Sequence, residues 1–387
     1  MCYHVRSLID AGWSVGVAGY FETPLPSDLE TSVRRLPVWT PPRALQKLPR
    51  ALFVVAAAAK VPIQALSLFA QLVTCYPWPA LVLVQTPPAI PTLGIVRGAC
   101  ALNGSRLVID WHNLGYTLLA LKLGPRSVLV RVAYALERVL GARADLHLFV
   151  THAMRDHLCT QWHLRGRTAV LHDRPPAHFR RLSPLERETF LARMPSAFRG
   201  PSKLVVSSTS WTPDEDLGML VDAVSLYEAH ARRDPAVPSI CVVITGRGPL
   251  REAHERAMAA RAHREGWTHV AIHTTWLAAD DYPRLLGAAD LGVSLHTSSS
   301  GLDLPMKVVD MLGCGLPVCA LTFACLTELL EPGVNGVVFS NAPELAACLA
   351  DLLTNRRHLP QPGFVGTDAP TWPAQWAQTL APLLRLP

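Results

Sequence analysis

Four loops that follow short apolar runs hold the residues with chemistry to offer. The richest is Ser298 to Ala320, SSSGLDLPMKVVDMLGCGLPVCA, where Ser300 and Gly301 precede Asp303, Lys307 and Asp310. Pro305 fits the first turn of a helix, and Asp303 is placed to cap it. The spacings of four and three residues then put Asp303, Lys307 and Asp310 on one helical face. A helix N-terminus bearing a lysine suits a diphosphate, and a carboxylate farther along accepts hydrogen bonds from ribose hydroxyls. The plain alternative is a surface ladder of ion pairs.

The other loops have the same placement. Ser207-Ser208-Thr209-Ser210-Trp211 offers hydroxyls and backbone amides to a diphosphate, or only caps the next helix. Gly246-Arg247-Gly248-Pro249 lets the backbone approach a phosphate and adds a fixed charge, or is an ordinary strand-to-helix turn. In Asp110-Trp111-His112-Asn113, either His112 or Asp110 is a candidate general base for an acceptor hydroxyl; a structural hydrogen bond is the competing reading. Asp214-Glu215-Asp216 imitates a metal-binding Asp-x-Asp but follows Thr212-Pro213, the pattern of a helix start, so no metal site is assigned.

These loops must be held by strands. Apolar strand-like runs at Ser14 to Ala18, Leu81 to Gln85, Leu107 to Asp110 and Leu146 to Thr151 alternate with helical stretches. Others recur at Lys203 to Ser207, Cys241 to Thr245, Val270 to His273, Leu291 to Leu295 and Leu316 to Leu321. Alternation of this kind predicts an α/β fold: two doubly wound, Rossmann-like domains with parallel sheets, facing a cleft. The expected boundaries are a first domain over 1–180, a linker over 181–202, a second domain over 203–360 and a tail helix over 361–387. The chain opens inside what reads as a helix, so the central first strand of its first domain, with its Gly-rich turn, is expected to be missing.

Bulk properties narrow the class. With 387 residues, 50% hydrophobic and 17% charged, the chain is folded and rather apolar, not disordered or built for nucleic acid. The net charge of +6 gathers in part at Arg34, Arg35, Arg43, Lys47 and Arg50, ahead of the apolar segment Ala51 to Thr74. Lys60, Gln64, Ser67, Gln71 and Thr74 form one narrow polar stripe there, which predicts an amphipathic helix, either packed in the first domain or lying in a bilayer interface. Nine cysteines without a regular framework read as reduced thiols. The N-terminal residues lack the pattern of a signal peptide.

The chain resembles the chitobiosyldiphosphodolichol beta-mannosyltransferase family of the endoplasmic reticulum. The resemblance rests on Val108-Ile-Asp-Trp-His-Asn113, Ser207-Ser-Thr-Ser-Trp-Thr212, Ile244-Thr-Gly-Arg-Gly-Pro-Leu-Arg251 and His296 to Asp310. It implies a GT-B glycosyltransferase that moves mannose from GDP-mannose, with inversion, to the 4-hydroxyl of the second N-acetylglucosamine of a dolichol-diphosphate carrier. It implies no tightly bound cofactor, with Mg at most stimulatory, and location at the cytosolic face of the endoplasmic reticulum membrane. Expected partners are GDP-mannose, the dolichol-linked chitobiose, the membrane surface and other dolichol-pathway mannosyltransferases, but no nucleic acid. Members of the family begin with a membrane helix, a first strand and a Gly-rich loop, none of which is present here. The broader GT-B pattern has two glutamates eight residues apart; Asp310 holds the second position and Leu302 the first. A truncated, inactive paralogue that binds nucleotide, or associates with dolichol-pathway transferases, is the alternative; a transferase or epimerase using UDP-sugars is a third reading.

Overall fold

A computed structural model describes residues 1–22, 24–40, 50–198, 202–212, 215–360, 363–364 and 371–384. Arg43, Lys47 and Asp214 lie outside them. The chain divides into two compact units, 1–172 with 370–387 and 173–369, each described by itself.

Unit 1 contains α1 (Cys2–Asp10), β1 (Val15–Gly19), α2 (Ser27–Glu30), β2 (Val33–Pro37), α3 (Arg50–Thr74), β3 (Leu81–Thr86), α4 (Thr92–Asn103) and β4 (Arg106–Trp111). It continues through α5 (Gly115–Leu123), α6 (Val128–Gly141), β5 (Arg143–Phe149), α7 (His152–Trp162) and β6 (Arg165–Val170). Its strands form two sheets, β1-β2 and β3-β4-β5-β6, in which every pairing is parallel. From Leu107 onward β4 is buried, as a run flanked by helices on both faces should be.

Unit 2 contains α8 (Pro184–Arg193), β7 (Lys203–Ser208), α9 (Leu217–Ala231), β8 (Ile240–Thr245), α10 (Arg251–Glu265), β9 (Val270–Thr275), α11 (Asp281–Ala288), β10 (Leu291–Ser294), α12 (Met306–Gly313), β11 (Val318–Leu321), β12 (Gly336–Phe339) and α13 (Ala342–Leu353). The sheet order is β12-β11-β10-β7-β8-β9, again parallel throughout. Strand order reverses between β7 and β10, so the loops after these two strands flank the switch point where such sheets bind ligands.

All nine expected strands are present within a few residues of their predicted ends. Three more, β2, β6 and β12, escape the sequence pattern: β2 holds Arg34 and Arg35, β6 holds Arg165 and Arg167, and only a 3-10 turn, Leu326–Glu328, lies between β11 and β12, so no helical stretch marks β12 off. The stretch 181–202 contains α8, with Pro184 in its first turn. Ser183 and Glu186 form a capping box at its start: Glu186 N donates to Ser183 Oγ at 3.3 Å, and Ser183 N donates to Glu186 Oε2 at 2.9 Å.

Helix α3 turns part of its polar stripe toward the first unit, as the packed alternative requires. Ser67 Oγ accepts from Trp39 N at 2.9 Å and Gln64 Nε2 donates to the Trp39 carbonyl at 3.5 Å, so this part of the polar stripe faces protein. Val61, Ile63 and Leu66 are instead exposed. Among the described residues no helix is long and apolar enough to cross a membrane.

The tail closes back on unit 1 through α14 (Trp372–Thr379) and α15 (Ala381–Leu384). Trp376 Nε1 donates to His4 Nδ1 at 3.3 Å and Trp372 Nε1 to Ser7 Oγ at 3.1 Å. Trp372, Trp376, Leu380 and Leu384 pack with Leu8 and with Val108, Leu146 and Leu148 of β4 and β5. The tail is thus part of the first unit's core. Trp376→Ala should cost about 3–5 kcal/mol of unit 1 stability; urea unfolding followed by far-UV circular dichroism checks it, and a loss under about 1 kcal/mol would contradict a core role.

Candidate active site

In unit 2, Glu215 organises the switch point. Sequence alone places it in an acidic helix start, whereas α9 begins at Leu217, with Asp216 Oδ1 accepting from Met219 N at 3.2 Å. Glu215 is buried, and such a carboxylate must be matched. Its Oε2 accepts from Ser210 N at 2.7 Å and from Thr209 Oγ1 at 2.5 Å, and its Oε1 accepts from Lys307 Nζ. Its backbone bridges to His296, beyond β10. One side chain therefore joins the loop after β7 to α12. Thr209 and Lys307, two expected diphosphate ligands, are both engaged with this carboxylate.

The glycine turn after β8 packs against the same loop. Gly246 has a φ of 146°, and a Cβ there would meet the Thr209 carbonyl oxygen at 1.7 Å; at Gly248 one would meet the Ser210 carbonyl oxygen at 1.8 Å. Both glycines thus permit backbone-to-backbone approach, a reason different from the phosphate approach read from sequence. The Arg247 guanidinium lies over the Trp276 ring, 4.3 Å from its centre.

Two expectations for the run after β10 change. Asp303 does not cap α12, whose N-cap is Pro305 with no side-chain bond; it closes the serine loop, accepting from Ser298 Oγ and, at 3.1 Å, from Ser300 Oγ. Gly301, at φ 72°, makes the turn in that loop. Nor do Asp303, Lys307 and Asp310 form one ladder, since Asp303 precedes the helix and Lys307 pairs with Glu215. Asp310 is partly buried: burial, with the Asp173 charge adding to it, pushes its carboxyl up to about 7. The same surroundings raise the Tyr282 phenol, chiefly by burial and then by the Asp310 charge. The Tyr282 hydroxyl lies 3.1 Å from Ser208 Oγ, so Ser208, Tyr282 and Asp310 form a second polar group beside the first. No sequence signal pointed to Tyr282, which stands on α11 with no special spacing.

In unit 1, His112 Nε2 lies 2.8 Å from Asp110 Oδ2 at the carboxyl end of β4. Asp110 is buried, and His4 Nε2 of α1 is 3.3 Å from the same oxygen. Burial alone would raise the Asp110 pKa, but the charge and hydrogen bond of His112, with those of His4, hold it well below the ordinary carboxylate value. Asp110 is therefore ionised in the fold, and His112 keeps a quarter of its side chain exposed. Glu137, on α6, was not anticipated: its buried carboxylate accepts from Gly115 N and Tyr116 N, both at 2.9 Å, and fixes the start of α5 behind His112.

Hydroxyls, a lysine and carboxylates at the switch point of a doubly wound unit suit a phosphate-bearing ligand, as glycosyltransferases of the GT-B class bind. Residues 201–355 match the model of the family described as glycosyl transferases group 1. A crystal structure of Anabaena Alr3699/HepE in complex with UDP superimposes at a TM-score of 0.61 and 18% identity, over 92% of each chain, a likeness of fold. The chitobiosyldiphosphodolichol beta-mannosyltransferase of Mus musculus is 38% identical over 428 residues, covering 99% of this chain and 86% of its own. That of Yarrowia lipolytica is 40% identical over 397 residues, covering 99% and 82%. The chain belongs to the chitobiosyldiphosphodolichol beta-mannosyltransferase family.

The raised Asp310 pKa sets a stability signature. In the unfolded chain this carboxyl ionises near its ordinary value, whereas in the fold it holds its proton to about 7. Its contribution is thus full at acid pH and lost as pH rises through about 7, on the order of 4 kcal/mol across the interval. Asp310→Asn should remove this decline; urea unfolding from pH 4 to pH 8 checks it, and parallel curves for the two proteins would refute the assignment.

Proposed function

We propose that this chain transfers mannose from GDP-mannose to chitobiosyldiphosphodolichol in one displacement, turning the alpha linkage of the donor into a beta-1,4 linkage. The observation that carries this reading is His112 hydrogen-bonded to an ionised, buried Asp110 at a strand's carboxyl end. Inversion by direct displacement needs one base on the acceptor hydroxyl and stabilisation of the departing diphosphate. His112 takes the proton from the 4-hydroxyl of the second N-acetylglucosamine as that oxygen attacks the anomeric carbon of mannose. Asp110 orients the imidazole and stabilises its protonated form.

On the donor side, the N-terminus of α12 and Lys307 supply positive potential for GDP, and Asp310 accepts from ribose hydroxyls. Glu215 tempers this charge, so the pair holds Lys307 in place between turnovers rather than leaving a bare cation. Ser208, the amides near Gly246 and Gly248, and Arg247 complete the diphosphate surroundings. Fixed positive groups of this kind remove the need for a tightly bound metal, with Mg no more than stimulatory.

The acceptor is a lipid, and unit 1 has apolar surface to meet it at the cytosolic face of the endoplasmic reticulum membrane, where other dolichol-pathway mannosyltransferases are natural neighbours. Val61, Ile63 and Leu66 of α3 are exposed, as are Val128, Leu129, Val132 and Val139 of α6. Exposed Lys122, Arg126, Arg131 and Arg138 lie on or beside α5 and α6. Apolar residues bordered by basic ones suit an anionic interface.

With radiolabelled GDP-mannose and a chitobiosyl-diphospho-lipid, the full chain should form a beta-mannosylated lipid, and GDP should compete better than UDP. GDP binding without transfer would favour the inactive-paralogue reading, and stronger competition by UDP would reassign the donor. His112→Ala should lower kcat by about 10²–10⁴-fold with GDP affinity kept; an equal loss of GDP affinity would remove His112 from the acceptor side. The chain should also sediment with phosphatidylserine vesicles in a salt-sensitive way. The double substitution of Leu129 and Val132 to Glu should release it, and undiminished binding would exclude α6 from the contact.

A further inference from the structure

Asp110, near the carboxyl end of β4, meets two histidines on one oxygen: His112 Nε2 lies 2.8 Å from Oδ2, and His4 Nε2 of α1 lies 3.3 Å from it. His4 is the more enclosed of the two, with 2% of its surface exposed. Both of its ring nitrogens are engaged. Trp376 Nε1, from the tail helix α14, donates to His4 Nδ1 at 3.3 Å, and the Trp372 ring lies at 85° to the imidazole with centres 5.0 Å apart. The tail is also anchored to β4 itself. Arg106, at the start of that strand, donates through Nη2 to the Leu383 carbonyl at 3.1 Å, and Arg167 of β6 donates to the same carbonyl at 2.6 Å. One strand therefore carries an anchor of the tail at its start and Asp110 near its end.

Donor and acceptor chemistry orders these groups. An indole N–H only donates, so His4 Nδ1 accepts, and the imidazole proton sits on Nε2, toward Asp110. An ionised carboxylate only accepts, so His112 also turns a protonated Nε2 to Oδ2. Trp376, His4, Asp110 and His112 thus form one row of hydrogen bonds from the tail to the end of β4, each member fixing the proton of the next. Because both histidines meet Oδ2, the carboxylate cannot tilt toward one without loosening the other. The need to satisfy a buried indole does not account for the row. Trp162 Nε1, buried in the same unit, has no hydrogen-bond partner among the described residues, so this fold accepts an unmatched indole.

We propose that His4 and Trp376 are positioning residues for the transfer reaction. Trp376 fixes the tautomer of His4, His4 holds the Asp110 carboxylate, and Asp110 thereby keeps the His112 proton on Nε2 and its ring in one orientation. The inference rests on the reading of His112 as the base; the row of hydrogen bonds does not. It gives the tail a second duty beside filling the core of unit 1.

The test follows the histidine side chains of the full chain by nitrogen-15 NMR. In the unaltered protein His4 should show an unprotonated Nδ1, and His112 a protonated Nε2 in slow exchange with water. His4→Leu removes the donor to Asp110, and Trp376→Phe keeps an aromatic ring while removing the N–H. Both should mix the His112 tautomers, and His4→Leu should speed exchange of the Nε2 proton about tenfold, the weight of one hydrogen bond to a charged group. In the mannose-transfer assay His4→Leu should lower kcat about tenfold with KM for GDP-mannose unchanged. His4→Gln, whose amide still donates to Asp110, should recover most of that loss. Combined with His112→Ala, His4→Leu should add nothing, whereas a merely structural role would lower kcat equally with and without His112. Unchanged His112 signals in both variants, or that equal loss, would overturn the proposal. Undiminished kcat in His112→Ala alone would instead overturn the reading of His112 as the base, while the NMR signals decide the row of hydrogen bonds independently of turnover.

Discussion

A carboxylate removed from water must be paid for by donors, and in this protein that demand shapes both units. Glu215 draws a backbone amide, a hydroxyl and an ammonium group onto its two oxygens. Meeting all three at once requires that the loop after β7 and the first turn of α12 approach each other across the switch point of the sheet. That requirement ties the two loops together through one side chain.

The same constraint recurs with different outcomes. Asp110 meets two histidines and stays ionised despite its burial. Among the described residues Glu137 meets two backbone amides, and burial, the larger influence, raises its pKa. Glu228, on α9, takes amides from Thr268, His269 and Val270 together with Arg232, and these outweigh burial to bring it to about 2. Asp310 has an acid for a neighbour and is pushed the other way. Donor count and neighbouring charge, not burial alone, decide which of these groups carries a proton near neutrality.

Much of the fold could be read from residue types. Continuous apolar runs separated by helical periods have few solutions besides a parallel sheet wrapped in helices, and nine strands were legible for that reason. The edge strands β2 and β6 were not, because protection of an edge replaces the apolar residues by which a strand is recognised. In the site, the polar loops could be located because ligands of α/β sheets bind at strand ends, yet the partners inside them could not. Ser300 and Asp303 are three apart and their contact is local. Glu215 and Lys307 are ninety-two positions apart, and no periodicity links them.

By itself the sequence determined the element types, the parallel architecture, the four strand-end loops and the family. Each of these depends on composition and spacing along the chain, where propensity and periodicity act. Only the tertiary structure decided that Lys307 answers Glu215, that Asp303 closes its own loop, that Asp110 is ionised while Asp310 holds its proton to about 7, and that the tail returns to the first unit. Those outcomes depend on which groups share a buried volume. Burial magnifies charge and makes every unmatched donor or acceptor costly, so pairings between distant residues settle them.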